Sequence, residues 1–185
     1  IIMKAVQLFG TLLLGLLLIS PVNSSEYVET VSGWHSYEDV AGWLKSNFSF
    51  SRSRQKVIQK RLRNQGPAGL LVRSPENLYR KKEGYCGDSA NFAQDALNRI
   101  NPAYNARLVF IKNRQGPTNH WVTAFEHNDK LYILDYGVGR KWSAMAGIHG
   151  PYKSLDNYRD FLATLKLRKF EVDRVFFRNV PGEED

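Results

Sequence analysis

Apolar residues recur along the chain at two periods, and the change of period divides it. Between 36 and 100 the spacing is helical. Ser36 before Tyr37-Glu38-Asp39 reads as an N-cap with an acidic first turn, and Val40, Trp43, Leu44 and Phe48 then share a face. Over 52–63, Arg52, Arg54, Lys56, Lys60, Arg61 and Arg63 surround Val57, Ile58 and Leu62, which predicts a basic surface helix closed by Gly66-Pro67. Ser74-Pro75-Glu76 carries the signature of a helix start, with Gly84 as its stop. Beyond it Cys86, Ala90, Ala93, Leu97 and Ile100 form one stripe, with Asp88, Gln94, Asp95, Asn98 and Arg99 off it, until Asn101-Pro102 breaks the pattern. A cysteine therefore opens a helix.

After residue 105 the pattern shortens to that of strands. The stretches 106–111, 121–126 and 131–135 are rich in Val, Ile, Leu, Phe and Tyr and are separated by polar loops, so they are expected as antiparallel neighbours. Gly137, Gly139, Gly147, Gly150 and Pro151 predict a long loop. Ser154 then caps a helix carrying Leu155, Tyr158, Leu162 and Leu165, a last strand covers 170–177, and the tail from Pro181 is expected to fray. There is no internal repeat and no low-complexity segment. Helices followed by strands, then one more helix and strand, predict the α+β class.

The first residues belong to a different pattern. Lys4, an apolar run over 5–19 and the small residues of Pro21-Val22-Asn23-Ser24 read as a signal peptide spanning 1–24, which implies an exported protein, periplasmic or secreted. The run holds about 15 apolar residues, short of the ~20 that span a bilayer, and no cysteine follows it to carry lipid. No stable membrane anchor is expected after cleavage. The remaining 25–185 is the length of one domain. Lys4 is the only charge removed, so 26 − 1 = 25 basic residues face 18 acidic ones, a net +7. That balance suits an anionic partner and requires none.

The chain has one cysteine, so it forms no internal disulfide. A lone thiol in an oxidising compartment is either buried and inert or retained because it reacts. Cys86 stands where the second reading has a physical basis: a thiol attacks as its thiolate, and the positive end of a helix favours that form. Gly84 and Gly87 leave room for a tight turn and a substrate carbonyl, and free backbone amides at the helix start would serve as an oxyanion hole. The thiol also needs an imidazole on another element. His35 lies at a helix entrance, His127 in a hairpin turn and His149 in a Gly-rich loop, whereas His120 enters a strand.

Parity then selects the third member. If Asn128-Asp129 form a two-residue turn, His127 pairs with Lys130, His120 falls opposite Gly137, and Asp135 is its diagonal neighbour on the same face. A carboxylate there would orient the imidazole and stabilise its charged form, although Asp135 also suits a turn residue before Tyr136-Gly137.

The run Gly84-Tyr85-Cys86-Gly87-Asp88-Ser89-Ala90-Asn91-Phe92, then His120-Trp121-Val122 and Leu131-Tyr132-Ile133-Leu134-Asp135, resembles the core of the transglutaminase-like superfamily. The resemblance implies a papain-like α+β scaffold, with a cysteine at the N-terminus of a helix packed on an antiparallel sheet and a Cys86–His120–Asp135 triad. It implies thiol acyl chemistry on a protein or peptide, either as a cysteine peptidase or amidase or as a transglutaminase. By analogy with transglutaminases, the second oxyanion donor would be an upstream Trp, for which Trp43 is the candidate, with Tyr79 or Asn77 behind it. The chain departs from the family pattern in following Asp135 with Tyr136-Gly137 rather than Pro, and it shows no acidic cluster encoding calcium.

Zinc-ligand spacing and a phosphate loop are absent, and Gly137-Val138-Gly139 lacks the rest of a dinucleotide fingerprint, so no metal and no cofactor are expected. Nucleic acid is not an expected partner, and a monomer is. The rival expectation is a non-catalytic binding module that grips an anionic partner with the helix over 52–63.

Overall fold

The computed structural model describes residues 25–184. The segment 1–24, read above as a signal peptide, lies outside the described residues. In chain order the elements are α1 (Glu26–Ser32), α2 (Tyr37–Asn47), β1 (Ser49–Phe50), α3 (Arg52–Gln65), β2 (Leu71–Arg73), α4 (Pro75–Lys81), β3 (Glu83–Gly84), α5 (Cys86–Ile100), β4 (Arg107–Asn113), β5 (His120–His127), β6 (Lys130–Asp135), β7 (Gly147–Tyr152), α6 (Leu155–Thr164), β8 (Val172–Phe177) and β9 (Gly182–Glu184). The expected α+β class is the one observed.

The centre is a five-stranded antiparallel sheet in the order β7-β6-β5-β4-β8. Asn128 and Asp129 both have positive φ, 51° and 56°, as a two-residue hairpin turn requires, and His127 faces Lys130. The register is therefore the one that parity demanded. Helices cover both faces, which explains why β5 is buried continuously from His120 to Phe125 rather than at alternate positions.

On one face, α5 packs Phe92, Ala93, Ala96 and Leu97 against Tyr27 and Val31 of α1 and Val40 and Leu44 of α2. On the other, Val109, Ile111, Val122 and Ile133 meet Tyr158 and Leu162 of α6. Both interfaces are dry and apolar, and burial of such side chains contributes roughly 1.5–3 kcal/mol each before entropy is counted. A buried bond from the Thr123 hydroxyl to the Ala90 carbonyl, 2.7 Å, fixes the N-terminal part of α5 on β5.

Four expectations need correction. Residues 137–151 are not one long loop: a 3₁₀ segment runs from Arg140 to Met145, and β7 closes the sheet edge against β6. Glycines at its ends hid this strand, since Gly147 and Gly150 both take φ of 131°. The tail does not fray, because β9 pairs in parallel with β2 and Glu184 forms ion pairs with Arg54 and Arg61. The short helix before Cys86 ends on Lys82 in the left-handed region, not on Gly84. Asp88, placed off the apolar stripe, is fully buried. Finally, α1 had no strong periodic signal; Ser25 caps it by accepting from the Val28 amide.

Candidate active site

Cys86 is the first residue of α5 and is only 4% exposed. The first amides of a helix have no carbonyl partner within it. Here the Asp88 carboxylate accepts the amide of Tyr85 at 2.9 Å, so the backbone entering the helix is tied down immediately before the thiol. Asp88 also accepts from the Arg73 amide at 2.7 Å and from Arg54 at 3.1 and 3.2 Å. Its charge is thus neutralised by a guanidinium that is itself nearly buried. Gly84 is required by this arrangement, since a Cβ there would lie 2.7 Å from Asp88 atoms. The sequence suggested that this glycine served access to the thiol; its structural duty is to admit Asp88.

His120 opens β5 and Asp135 ends β6, and both are buried. The imidazole Nε2 meets the Asp135 carboxylate at 2.7 Å, and the ring also interacts with the Cys86 side chain. Burial disfavours the imidazolium, but the Asp135 charge, its hydrogen bond and the bond to Cys86 outweigh that and raise the His120 pKa to about 10. The second Asp135 oxygen accepts the Gly137 amide at 3.1 Å. Asp135 is therefore both turn residue and imidazole partner.

This accounts for Tyr136-Gly137 after the aspartate. A Cβ on Gly137 would sit 2.7 Å from Cys86 Cα, 3.1 Å from its carbonyl oxygen and 3.2 Å from its Cβ. Only glycine lets the chain leaving Asp135 pass against the start of α5. Trp142 completes the wall, edge-on to the His120 ring at 6.0 Å between centroids.

The other histidines stand elsewhere. His149 bonds the Met145 carbonyl at 2.7 Å and packs on Phe161. His127 joins a cluster with Tyr37 and Tyr132, and His35 is exposed at the entrance to α2.

The upstream oxyanion candidates are not at the site. Trp43 stacks on Tyr79 at 5.3 Å and on Phe92 at 4.6 Å, in the core cluster between α2 and α5 that excludes Cys86. The Tyr79 hydroxyl is engaged with Thr30 at 2.8 Å, and Asn77 is buried against Arg73. Aromatic packing in the core explains Trp43 and Tyr79, and Asn77 serves Arg73.

The sequence did not single out the residues that line the approach to the thiol. A cavity of about 310 Å³ reaches Cys86 between Ile58, Leu70, Phe110 and Trp121, and Gln55 lies in its wall. Gln55 sits one helical turn before Gln59 on α3, a spacing that would have marked the pair only once that face was known to meet the thiol. Gln59 Nε2 in turn reaches the Thr118 hydroxyl at 3.5 Å, tying α3 to the loop that enters β5.

Among the described residues, no three His, Cys, Asp or Glu side chains are grouped to hold a metal, and no helix is long and apolar enough to cross a membrane. Compared with known proteins, the chain matches the model of the transglutaminase-like domain over residues 22–140. A solved structure of a TGase is similar at 10% identity with a TM-score of 0.40, covering 77% of this chain and 47% of that chain. This chain thus spans about half of that protein's length. No curated protein matches it.

Proposed function

The chain belongs to the transglutaminase-like family, and on that premise we propose that it is a cysteine enzyme that opens a peptide or carboxamide bond through Cys86, His120 and Asp135. One observation carries the reading. A buried imidazole is shared between a carboxylate at 2.7 Å and the only thiol of the chain, at the start of a helix. The Asp135 carboxylate favours the imidazolium, and an imidazolium beside the thiol is the arrangement that such chemistry needs.

The thiolate attacks the carbonyl carbon, and the oxyanion that forms is received by backbone amides at the start of α5 and by the Gln55 side chain. His120 gives its proton to the leaving amine as the C–N bond breaks, and a thioester remains on Cys86. Water, losing a proton to His120, then attacks the thioester and releases the acid and the thiolate. Asp135 holds the ring throughout.

Hydrolysis is favoured over transfer to lysine by the lining of the cavity. Its only charged residue is Arg178, so no acidic side chain is present there to receive a lysine ammonium. We therefore propose a peptidase or amidase, exported by way of residues 1–24.

The test is the rate at which iodoacetamide labels Cys86 at pH 6, in the wild type and in a His120→Ala variant. Labelling at least about 100-fold faster in the wild type is expected, the low end of what a positioned base contributes. Equal, slow labelling of two folded proteins would refute the activated pair and leave a module that only binds. In that case charge reversal at Lys56, Lys60 and Arg61, and not Cys86→Ala, would be the damaging change.

A further inference from the structure

Beside the cavity that reaches Cys86 lies a second groove of about 520 Å³, and the two share Gln55, Gln59, Pro117 and Thr118. Three separate parts of the chain send cations to it: Arg52 and Lys56 from α3, Arg140 and Lys141 from the turn after β6, and Arg168 and Lys169 from the segment before β8. No acidic residue lines it. Other cations near the site are paired, as Arg54 is with Asp88, Arg61 with Glu184, Lys112 with Asp173 and Arg114 with Glu171. The six in the groove take part in no ion pair among the described residues.

Converging like charges repel one another and strengthen the field in a concave site. The fold keeps this concentration next to its thiol, and its wall is Trp142, which also packs edge-on to His120. Trp142 is fixed there by its indole N–H, which donates to the Arg168 carbonyl at 3.2 Å, and by Phe170 at 5.1 Å.

We propose that this groove binds an acidic segment of the substrate, a run of Asp or Glu side chains beside the peptide or carboxamide bond that Cys86 opens. The inference rests on the reading of Cys86 as nucleophile, because only a chain that continues from the Cys86 cavity has its carbonyl placed by its charge. Carboxylates suit the lining: arginine offers paired N–H donors and lysine a mobile ammonium. The nearby Gln55 and Gln59 amides would mark the step from the charged groove to the reacting carbonyl.

The test separates binding from turnover. A fluorescein-labelled Glu-rich dodecapeptide and its Gln counterpart are titrated against the full-length Cys86→Ala protein by anisotropy, at 50 mM and 500 mM NaCl. The Glu peptide is expected to bind about ten-fold more tightly at low salt and to lose that advantage at high salt, because exposed charges are screened within about 10 Å at 0.1 M. Lys141→Glu with Arg168→Glu, both exposed positions, should abolish the preference. Equal affinity for the two peptides, or tighter binding of an oligothymidylate or of anionic vesicles than of the Glu peptide, would overturn the proposal.

Turnover by the wild type of amide substrates flanked by Glu or Gln distinguishes the two readings. Cleavage without charge preference refutes the groove and spares the enzyme. Charge-selective binding without cleavage or thiol labelling refutes the enzyme and spares the groove.

Discussion

Replacing Arg54 by Met tests whether the floor beneath the thiol is held by charge. Asp88 is fully buried and accepts four hydrogen bonds, two from the Arg54 guanidinium and two from the amides of Tyr85 and Arg73. Arg54→Met keeps the stem but removes both guanidinium bonds and, among the described residues, the only cation paired with that carboxylate. Two backbone amides then remain to a buried, uncompensated charge, a situation that typically costs about 3–5 kcal/mol. Against a usual total of about 5–15 kcal/mol this is a large fraction. Asp88→Leu strands the two amides instead, at about 1–3 kcal/mol each, while Arg54 keeps Glu184. The double variant leaves neither charge buried alone, so its cost should fall short of the sum of the singles by roughly 2 kcal/mol, within the range seen for contacting pairs. Urea unfolding followed by tryptophan fluorescence measures all three, read from midpoints with slopes compared. An Arg54→Met cost under about 1 kcal/mol, or strict additivity, would refute the reasoning and leave the network an accessory.

The remaining predictions concern the reacting groups. Gly137→Ala must shift Cys86 or the strand end by several tenths of an ångström, since the contacts it would make at 2.7 and 3.1 Å are to backbone atoms; a displacement of that order costs up to about 100-fold in rate. Thiol labelling and turnover should both fall while the fold survives, and unchanged labelling would count against the close approach. Gln55→Ala should lower kcat by about 10²–10³ with little change in KM, as loss of an oxyanion donor does; a change confined to KM would assign Gln55 to binding alone. The His120 ring, with its pKa raised to about 10 against an ordinary 6.5, should remain protonated at pH 8 and give up its charge only as the pH climbs through that raised value. Because the folded-state value is raised, the favourable pairing is complete below about pH 6.5 and is lost towards pH 10. Imidazole NMR across pH 5–11 reads this directly, and Asp135→Asn should bring the titration down; an ordinary midpoint in the wild type would sink the pairing.

The parts of the site that were legible in the sequence are those governed by local rules. Helix starts at Ser36 and Ser74 follow from capping and proline chemistry, and the one at Cys86 from its apolar stripe, signals that a few neighbouring residues determine. The pairing of His120 with Asp135 followed from parity and a two-residue turn, because Asn128 and Asp129 are types that tolerate positive φ. What escaped depends on residues far apart in the chain. Asp88 reads as a polar residue on a helix and is buried because Arg54, 34 positions earlier, neutralises it. The tail reads as frayed, yet β2 offers it an edge and Arg54 and Arg61 offer it charge.

The same logic explains the misplaced oxyanion donor. Trp43 and Tyr79 have the right residue types and chain order, but the space between α2 and α5 needed aromatic volume and claimed both. The basic run over 52–63 reads in the sequence as one surface helix, but the fold divides it. Arg54 and Arg61 turn inward to Asp88 and Glu184, while Arg52 and Lys56 join cations from two other segments beside the thiol. A sequence pattern states which charges exist. The contacts between distant segments decide which of them are neutralised and which remain for a ligand.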